Sequence, residues 1–582
     1  MRTRTTVARV AALIVINGIC SAATTTIGPA DSLQDAIDAA SDGDTILLEP
    51  GAYMGDLHFD GIDLTVRSEN PQMPAMLSGS GLRIEGGHVA METLTLEFQS
   101  AEVLDMSVAA LDGCEATSQW FIDDADVILN ATAFSGLTLG SNGAAIDATD
   151  CQLSDAQIDA DAIVLDGVTA MNVEMSARLL TMTDVTWSAS FIAVTSIFAS
   201  ESLTMADCAF INSANPGQSA LIGTGFNAIV SMTNCHFENN DLADGVLINI
   251  TNLAAADATI ASCDFLANDC GACVAGQGAT IEDCRFEDNT GAAISLAEGL
   301  IDRAQVRGNG AAVRIGVGDV RRSRITGNAN AGVEASIGAQ GPITIANCLI
   351  ADNTTGWVGG GVRLFPVSTG AVMTIVNSTI VGNTAQSATT AGAGGVFAQF
   401  GTLHVRNCIL TGNQGGGADA TDQLFINASA VPITLDLADC LIDGADSVPP
   451  PSEGGWTGVD LIDADPRFVD PGSDDYRLLP ASPAIDAGDS LAATGIPTDI
   501  DGRSRILGAA VDIGAFERCP ADVNFDDDVT FDDLNILLDA WAAADPLADL
   551  DGSGVVDFTD LNMLLDAWAD SCIAIIDEGG AQ

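Results

Sequence analysis

Two runs near the C-terminus bring oxygen-bearing side chains together at a spacing that suits a hard cation. Asp522 to Trp541 reads DVNFDDDVTFDDLNILLDAW, and Asp549 to Trp568 reads DLDGSGVVDFTDLNMLLDAW. The copies lie 27 positions apart and agree at 11 of 20 places. Each offers side-chain oxygens at loop positions 1, 3 and 5, a carboxylate at position 12 and a main-chain carbonyl at position 7, the ligand spacing of a calcium loop. The first loop would use Asp522, Asn524, Asp526, the carbonyl of Asp528, and Asp533; the second would use Asp549, Asp551, Ser553, the carbonyl of Val555, and Asp560. Position 6, where the sharp turn favours glycine, is Gly554 in the second loop and Asp527 in the first. The second loop is therefore expected to bind calcium more tightly. An apolar helical run follows each loop, Leu534 to Trp541 and Leu561 to Trp568, and metal binding is expected to dock it.

This duplicated loop-helix resembles a type I dockerin, the module that plugs enzymes and adhesins into cohesin receptors outside bacterial cells. The match covers roughly the last tenth of the chain, and its tandem recurrence makes it specific. Dockerins also carry Asp at position 12. The resemblance implies a cohesin-like partner, met through loop positions 10 and 11, which are Phe531 with Asp532 and Phe558 with Thr559. Cys519 and Cys572 bracket the module and are placed to tie its ends together, as export permits.

The other end points to the same compartment. Arg2, Arg4 and Arg9 precede the apolar run Val10 to Ile19, and Cys20-Ser21-Ala22 supplies small residues for cleavage. Residues 1–22 therefore read as a secretory signal peptide. No later stretch reaches the roughly 18 apolar residues of a spanning helix, so membrane insertion is not expected. Every one of the 20 basic residues is arginine, and the net charge of −60 repels nucleic acid and polyanionic membranes. A hydrophobic content of 47% argues for a packed core rather than disorder.

Something must position these loops, and the middle of the chain is a repeat. The unit is an apolar residue, two turn residues, a small residue, a variable residue and another apolar residue, as in Met232-Thr-Asn-Cys235-His-Phe237 and Ile281-Glu-Asp-Cys284-Arg-Phe286. The small residue falls at Leu94, Cys114, Thr132, Cys151, Val168, Val185, Cys208, Cys235, Cys263, Cys284, Ala304, Ser323, Cys348, Ser378, Cys408 and Cys440, with spacings of 17 to 32. Alternation on either side of the turn predicts short strands with inward-facing side chains. Five residues beyond the small position stand Asn240, Asn268, Asn289, Asn309, Asn328, Asn353, Asn383 and Asn413 in successive units. Asparagine tolerates the left-handed backbone of a tight turn, and stacked amides can bond from unit to unit. These features predict an all-β solenoid, a parallel β-helix of about 16 or more coils, each burying its face against its neighbours.

The repeat resembles the right-handed β-helix family of pectin lyases, polygalacturonases and bacterial surface proteins. Ser32 to Ala40 looks like the capping helix over the first coil, and Gly43 to Tyr53 like the first strand and turn. After the last coil, Asp465-Pro-Arg-Phe-Val469, Ser482-Pro-Ala-Ile-Asp-Ala-Gly488 and Val511-Asp-Ile-Gly-Ala-Phe-Glu517 look like the tail of choice-of-anchor β-helix proteins. The expected order is a signal peptide (1–22), a β-helix with capping helix (23–445), a closing segment (446–518), an EF-hand-like α-helical module (519–572) and a short tail (573–582). Nine of the 14 cysteines hold the small inward position and read as a buried thiol stack. Cys270 and Cys273 read as a local disulfide or a pair of free turn thiols.

Chemistry within the β-helix has one candidate. The Gly-His-Gly and Arg-x-Lys segments of polygalacturonase-type hydrolases do not occur. Lyases of the fold use an Arg or Lys base beside calcium held on Asp, and lysine is absent. Arg303, Arg307, Arg314, Arg321, Arg322 and Arg324 form the only basic cluster, with pairing to acidic coils as the plainer reading. His236 falls in an outward strand slot, while Trp120 and Trp357 are candidates for stacking on sugars or for packing. The function expected is a secreted calcium-binding β-helix protein that binds or displays on a glycan matrix or cell surface and attaches to a cohesin-like partner. The alternative is a polysaccharide lyase or glycoside hydrolase.

Overall fold

The residue before each of the sixteen small inward positions turns through the left-handed region. The turn residues run from Thr93 (φ 55°) before Leu94, through Asn234 (φ 55°) before Cys235, to Asp439 (φ 52°) before Cys440. All sixteen following residues are buried. Cysteine holds nine of the sixteen positions, and Leu94 is the largest occupant.

This computed structural model describes residues 22–573 except 105–106, 118, 124, 136–137, 143–144, 189–196, 215–218, 227, 251–256, 336–340, 366–370, 388–391, 400, 417–421, 428–432, 446–454 and 570. The expected signal peptide, up to residue 21, and the tail beyond residue 573 lie outside the described residues. The chain forms two compact units, residues 1–169 and 170–582.

In the first unit, strand Thr24–Ile27 precedes the helix and pairs in parallel with Asp44–Leu48, which is thus the second strand rather than the first. Helix α1 (Leu33–Asp38) is capped by Ser32, whose side chain accepts from the Asp35 amide, and it buries Leu33 and Ile37. The parallel ladder continues from Asp44–Leu48 through Leu64–Ser68, His88–Glu92, Val108–Asp112, Asp126–Asn130 and Ala145–Thr149.

In the second unit a ladder of three-residue strands runs from Ala209–Ile211 to Ile409–Thr411. Its register stacks Phe210, Phe237, Phe265 and Phe286, with ring centroids 4.9, 4.9 and 4.6 Å apart. The asparagines form a second stack. The Asn240 amide nitrogen donates to Asn268 Oδ1 at 2.8 Å, and the relay passes from coil to coil until Asn383 donates to Asn413 at 3.0 Å. Gln423 ends it by accepting from Asn413 at 2.7 Å.

The left-handed residue of this second corner is not the asparagine, as its turn preference suggested, but the residue before it, from Asn239 (φ 54°) to Gly412 (φ 63°). The asparagine is there for its amide. The nine cysteines of the small series are buried and free. Burial pushes the Cys114 thiol up to about 11 and the Cys348 thiol up to about 12, so both stay protonated. Cys270 and Cys273 are likewise free, with sulfurs 3.8 Å apart.

Strand Trp456–Ile462 pairs with Ile433–Ile442, so the parallel ladder runs past residue 445. The following segment does not simply cover the end. It lies along the side of the coils, where Tyr476, Ala515 and Phe516 pack on Leu349, Ala351 and Val381, and Leu478, Ala484 and Ile513 pack on Ile409 and Leu441. Among the described residues, no helix is long and apolar enough to cross a membrane.

Candidate metal centre

The C-terminal repeat folds into two matching helices, α2 (Phe531–Asp539) and α3 (Phe558–Asp566). Both begin three residues earlier than the apolar runs suggested, because a capping box starts each helix inside its loop. Thr530 or Asp557 caps the first turn, and the position-12 carboxylate of Asp533 or Asp560 closes the box. Equivalent residues of the two copies build one shared core: Val523 with Leu550, Val529 with Val556, and Leu537 with Leu564. A disulfide joins Cys519 to Cys572.

In the second loop the carboxylates of Asp549, Asp551 and Asp560 offer oxygens that all lie within 4.8 Å of one another. That span is about twice a calcium–oxygen bond of roughly 2.4 Å, so one ion fits between them. Ser553 Oγ lies 3.2 Å from the Val555 carbonyl, which brings positions 5 and 7 together as well. Gly554 turns at φ 94° and donates its amide to Asp549 at 2.8 Å. The donor set is all oxygen, as a hard cation prefers.

The first loop uses the same backbone scheme with a different outcome. Asp522 accepts from the Phe525 and Asp527 amides at 2.7 and 3.2 Å, and Asp533 accepts from Val523 at 2.8 Å. Asp527 holds the glycine position at φ 75°. Asp522, Asp526 and Asp533 do not form a gathered acidic group; among the described residues only the second loop does. Instead, Arg503 of the closing segment stands 3.6 Å from Asp522 and pairs with Asp527. Arg477, Arg518 and Arg503 surround the Phe525 ring, 4.1, 4.8 and 5.9 Å from its centroid. Sequence reasoning missed these arginines. The acid at position 6 was the one local sign that something other than a bare calcium turn had to be accommodated.

On the outer face, Phe531 and Phe558 are each 70% exposed. Each packs edge-on against the tryptophan of the other copy, Phe531 on Trp568 at 4.9 Å and Phe558 on Trp541 at 5.0 Å. Asp532 and Thr559 beside them are exposed too. The module thus carries two equivalent aromatic patches.

The arginine row is dispersed among acids. Arg303 and Arg322 are left-handed turn residues, with φ 52° and 45°. Arg303 donates to Asp283 at 2.7 Å and to Asp302 at 2.9 Å, and Arg322 donates to Asp302 at 2.8 Å. Arg314 faces Glu334 at 3.5 Å, Arg321 pairs with Asp319, and Arg324 pairs with Asp501. Arg307 stands 4.0 Å from Asp474 with its side chain 65% exposed. The hydrogen bond to Asp283 pushes the Arg303 guanidinium further up, the opposite of what a proton-abstracting base requires. His236 lies between Glu238 at 3.1 Å and Asp264 at 3.7 Å. Trp120 is buried against Phe134 and belongs to the core, whereas Trp357 is half exposed and stacks on Phe365 at 4.8 Å.

The model of a family described as a right-handed β-helix region matches residues 166–312 and 244–429. The solenoid is a right-handed parallel β-helix. Solved structures similar to the chain include a pectate lyase, at 13% identity, covering 86% of this chain and 98% of that chain with a TM-score of 0.19. A mannuronic-acid-specific polysaccharide family 6 lyase from human gut microbiota matches at 13% identity over 78% of this chain and 93% of that chain, TM-score 0.21. A mannuronan C-5 epimerase A-module from Azotobacter vinelandii matches at 12% identity over 75% of this chain and 94% of that chain, TM-score 0.11. No curated protein matches the sequence.

Proposed function

We propose that this is an exported β-helix protein that attaches to a cohesin-like receptor through its C-terminal loop-helix pair, with calcium in the second loop organising that module. The β-helix is then the part displayed to a glycan matrix or cell surface. The observation that carries the reading is the gathering of Asp549, Asp551 and Asp560 at the foot of α3, whose first residue, Phe558, heads one of two matched exposed patches. The Cys519–Cys572 disulfide supports an oxidising compartment.

Binding of the full chain to an immobilised panel of cohesin modules, with calcium and after a chelator, tests this. Calcium-dependent capture that is lost in the Phe531→Ala/Phe558→Ala variant is expected. Capture indifferent to chelator, or none across the panel, overturns it. Polysaccharide cleavage is the alternative, to which the arginine row lends no base; an activity screen on uronate-containing and neutral polysaccharides tests it.

A further inference from the structure

The first loop carries every oxygen ligand its spacing requires, yet a side chain from elsewhere already supplies a positive charge there. Arg503 sits on the closing segment, 19 positions before Asp522 by number, and its side chain is 3% exposed. Its Nη2 lies 3.6 Å from Asp522, the loop's first ligand and a fully buried carboxylate, while its Nε donates to Asp527. The main chain fixes this approach. The Arg503 amide donates to Asp499 at 2.8 Å, Arg503 bridges Ile573, and Ser504 donates to the Cys572 carbonyl at 2.9 Å. Cys572 in turn donates to the Asp527 carbonyl at 2.8 Å.

A second arginine adds to the same field. Arg518 is buried over Phe525, and its Nη1 and Nη2 find no hydrogen-bond partner among the described residues.

We propose that the first loop is a guanidinium seat for the chain's own closing segment, and that Arg503 and calcium compete for it. The proposal rests on reading both loops as calcium loops. A divalent ion on Asp522 would stand beside a buried guanidinium that cannot retreat into solvent, and like charges at that range repel. Asp527, which the turn itself disfavours, is explained as the second carboxylate of the seat. The second loop has Gly554 there and, among the described residues, no arginine paired with its ligands, so the two copies have diverged into a metal loop and an anchoring loop.

Calorimetric titration of calcium into the full chain tests this, with the second loop silenced by Asp549→Ala and Asp551→Ala. In that background the native first loop should bind weakly or not at all. Arg503→Gln should tighten it by about 5- to 150-fold, the usual range for coupled sites. Asp527→Asn, which releases the Arg503 Nε, should act in the same direction and carries the test if Arg503→Gln fails to fold. Equal affinity with and without Arg503, or no binding in any variant, overturns the proposal. Titration of the unsilenced chain reads the second loop separately: its failure to bind would sink the attachment reading, while the gain in Arg503→Gln still decides this one.

Discussion

The guanidinium of Arg503 lies 3.6 Å from the carboxylate of Asp522, and both side chains are almost wholly removed from solvent. One belongs to the segment that flanks the coils, the other to the first calcium-type loop. Their contact, the Arg503–Ile573 bridge and the hydrogen bond from Ser504 to the Cys572 carbonyl hold the module on the closing segment. Burial raises the Asp522 carboxyl, and Arg503 opposes that shift by stabilising the charged form.

Removing Arg503 therefore leaves a buried carboxylate without its partner. Breaking a buried pair in this way costs about 3–5 kcal/mol. Arg503→Ala without calcium should lower the urea midpoint of the C-terminal region accordingly. A change under about 1 kcal/mol, the worth of an exposed pair, would show that the contact is incidental.

Gly554 turns at φ 94°, and a Cβ added there would meet nothing within 4 Å. The penalty of Gly554→Ala is thus conformational, about 1–2 kcal/mol for the left-handed region. Calcium affinity of the second loop should fall by about tenfold, since 1.4 kcal/mol is a factor of ten. An unchanged calorimetric affinity would mean that the loop does not need this turn to bind.

Within the β-helix, Asn309 is the middle of the amide relay. It donates to the Phe286 carbonyl at 3.0 Å and to Asn328 at 3.1 Å, and it accepts from both the amide and the side chain of Asn289. Asn309→Leu strands these buried groups, at about 1–3 kcal/mol each. A loss of about 3 kcal/mol or more is expected in urea denaturation. Asn240→Leu, at the start of the relay, should cost less, because among the described residues its oxygen accepts from the Ser213 amide alone.

The closing segment buries Glu517 3.7 Å from Arg505, and burial with the neighbouring Asp512 pushes its carboxyl up to about 9. The folded chain therefore keeps a proton that the unfolded chain releases near its ordinary value of 4.5. Its contribution to stability is fully present below about pH 4.5, declines as pH rises and is gone by about pH 9. Glu517→Gln mimics the protonated acid, so its stability relative to the native chain should increase from pH 5 to pH 9. A constant difference across that range would contradict the raised carboxyl.

The coil register was legible because each turn repeats a local constraint. A left-handed residue followed by a small inward one leaves the same mark sixteen times, and all sixteen are buried. The duplicated loop-helix was legible for the same reason, since its pattern recurs 27 positions on. What the sequence hid was set by long-range packing. Trp120 was ambiguous because a tryptophan reads alike whether it faces a sugar or Phe134. The sideways course of the closing segment depends on Leu349 and Ile409 pointing outward, which alternation alone does not distinguish from an exposed strand. Arg503 carries no local signal at all; its role exists only once the chain has returned to place it on Asp522.

Hydrogen exchange of the intact chain, with calcium and then with chelator, tests the central claim most directly. The amides of α3 should be protected with calcium and exchange at least about tenfold faster without it. The β-helix strands should stay unchanged, and the Arg503-held first loop should change less than the second. Exchange in α3 that ignores the chelator would contradict a calcium-organised attachment module.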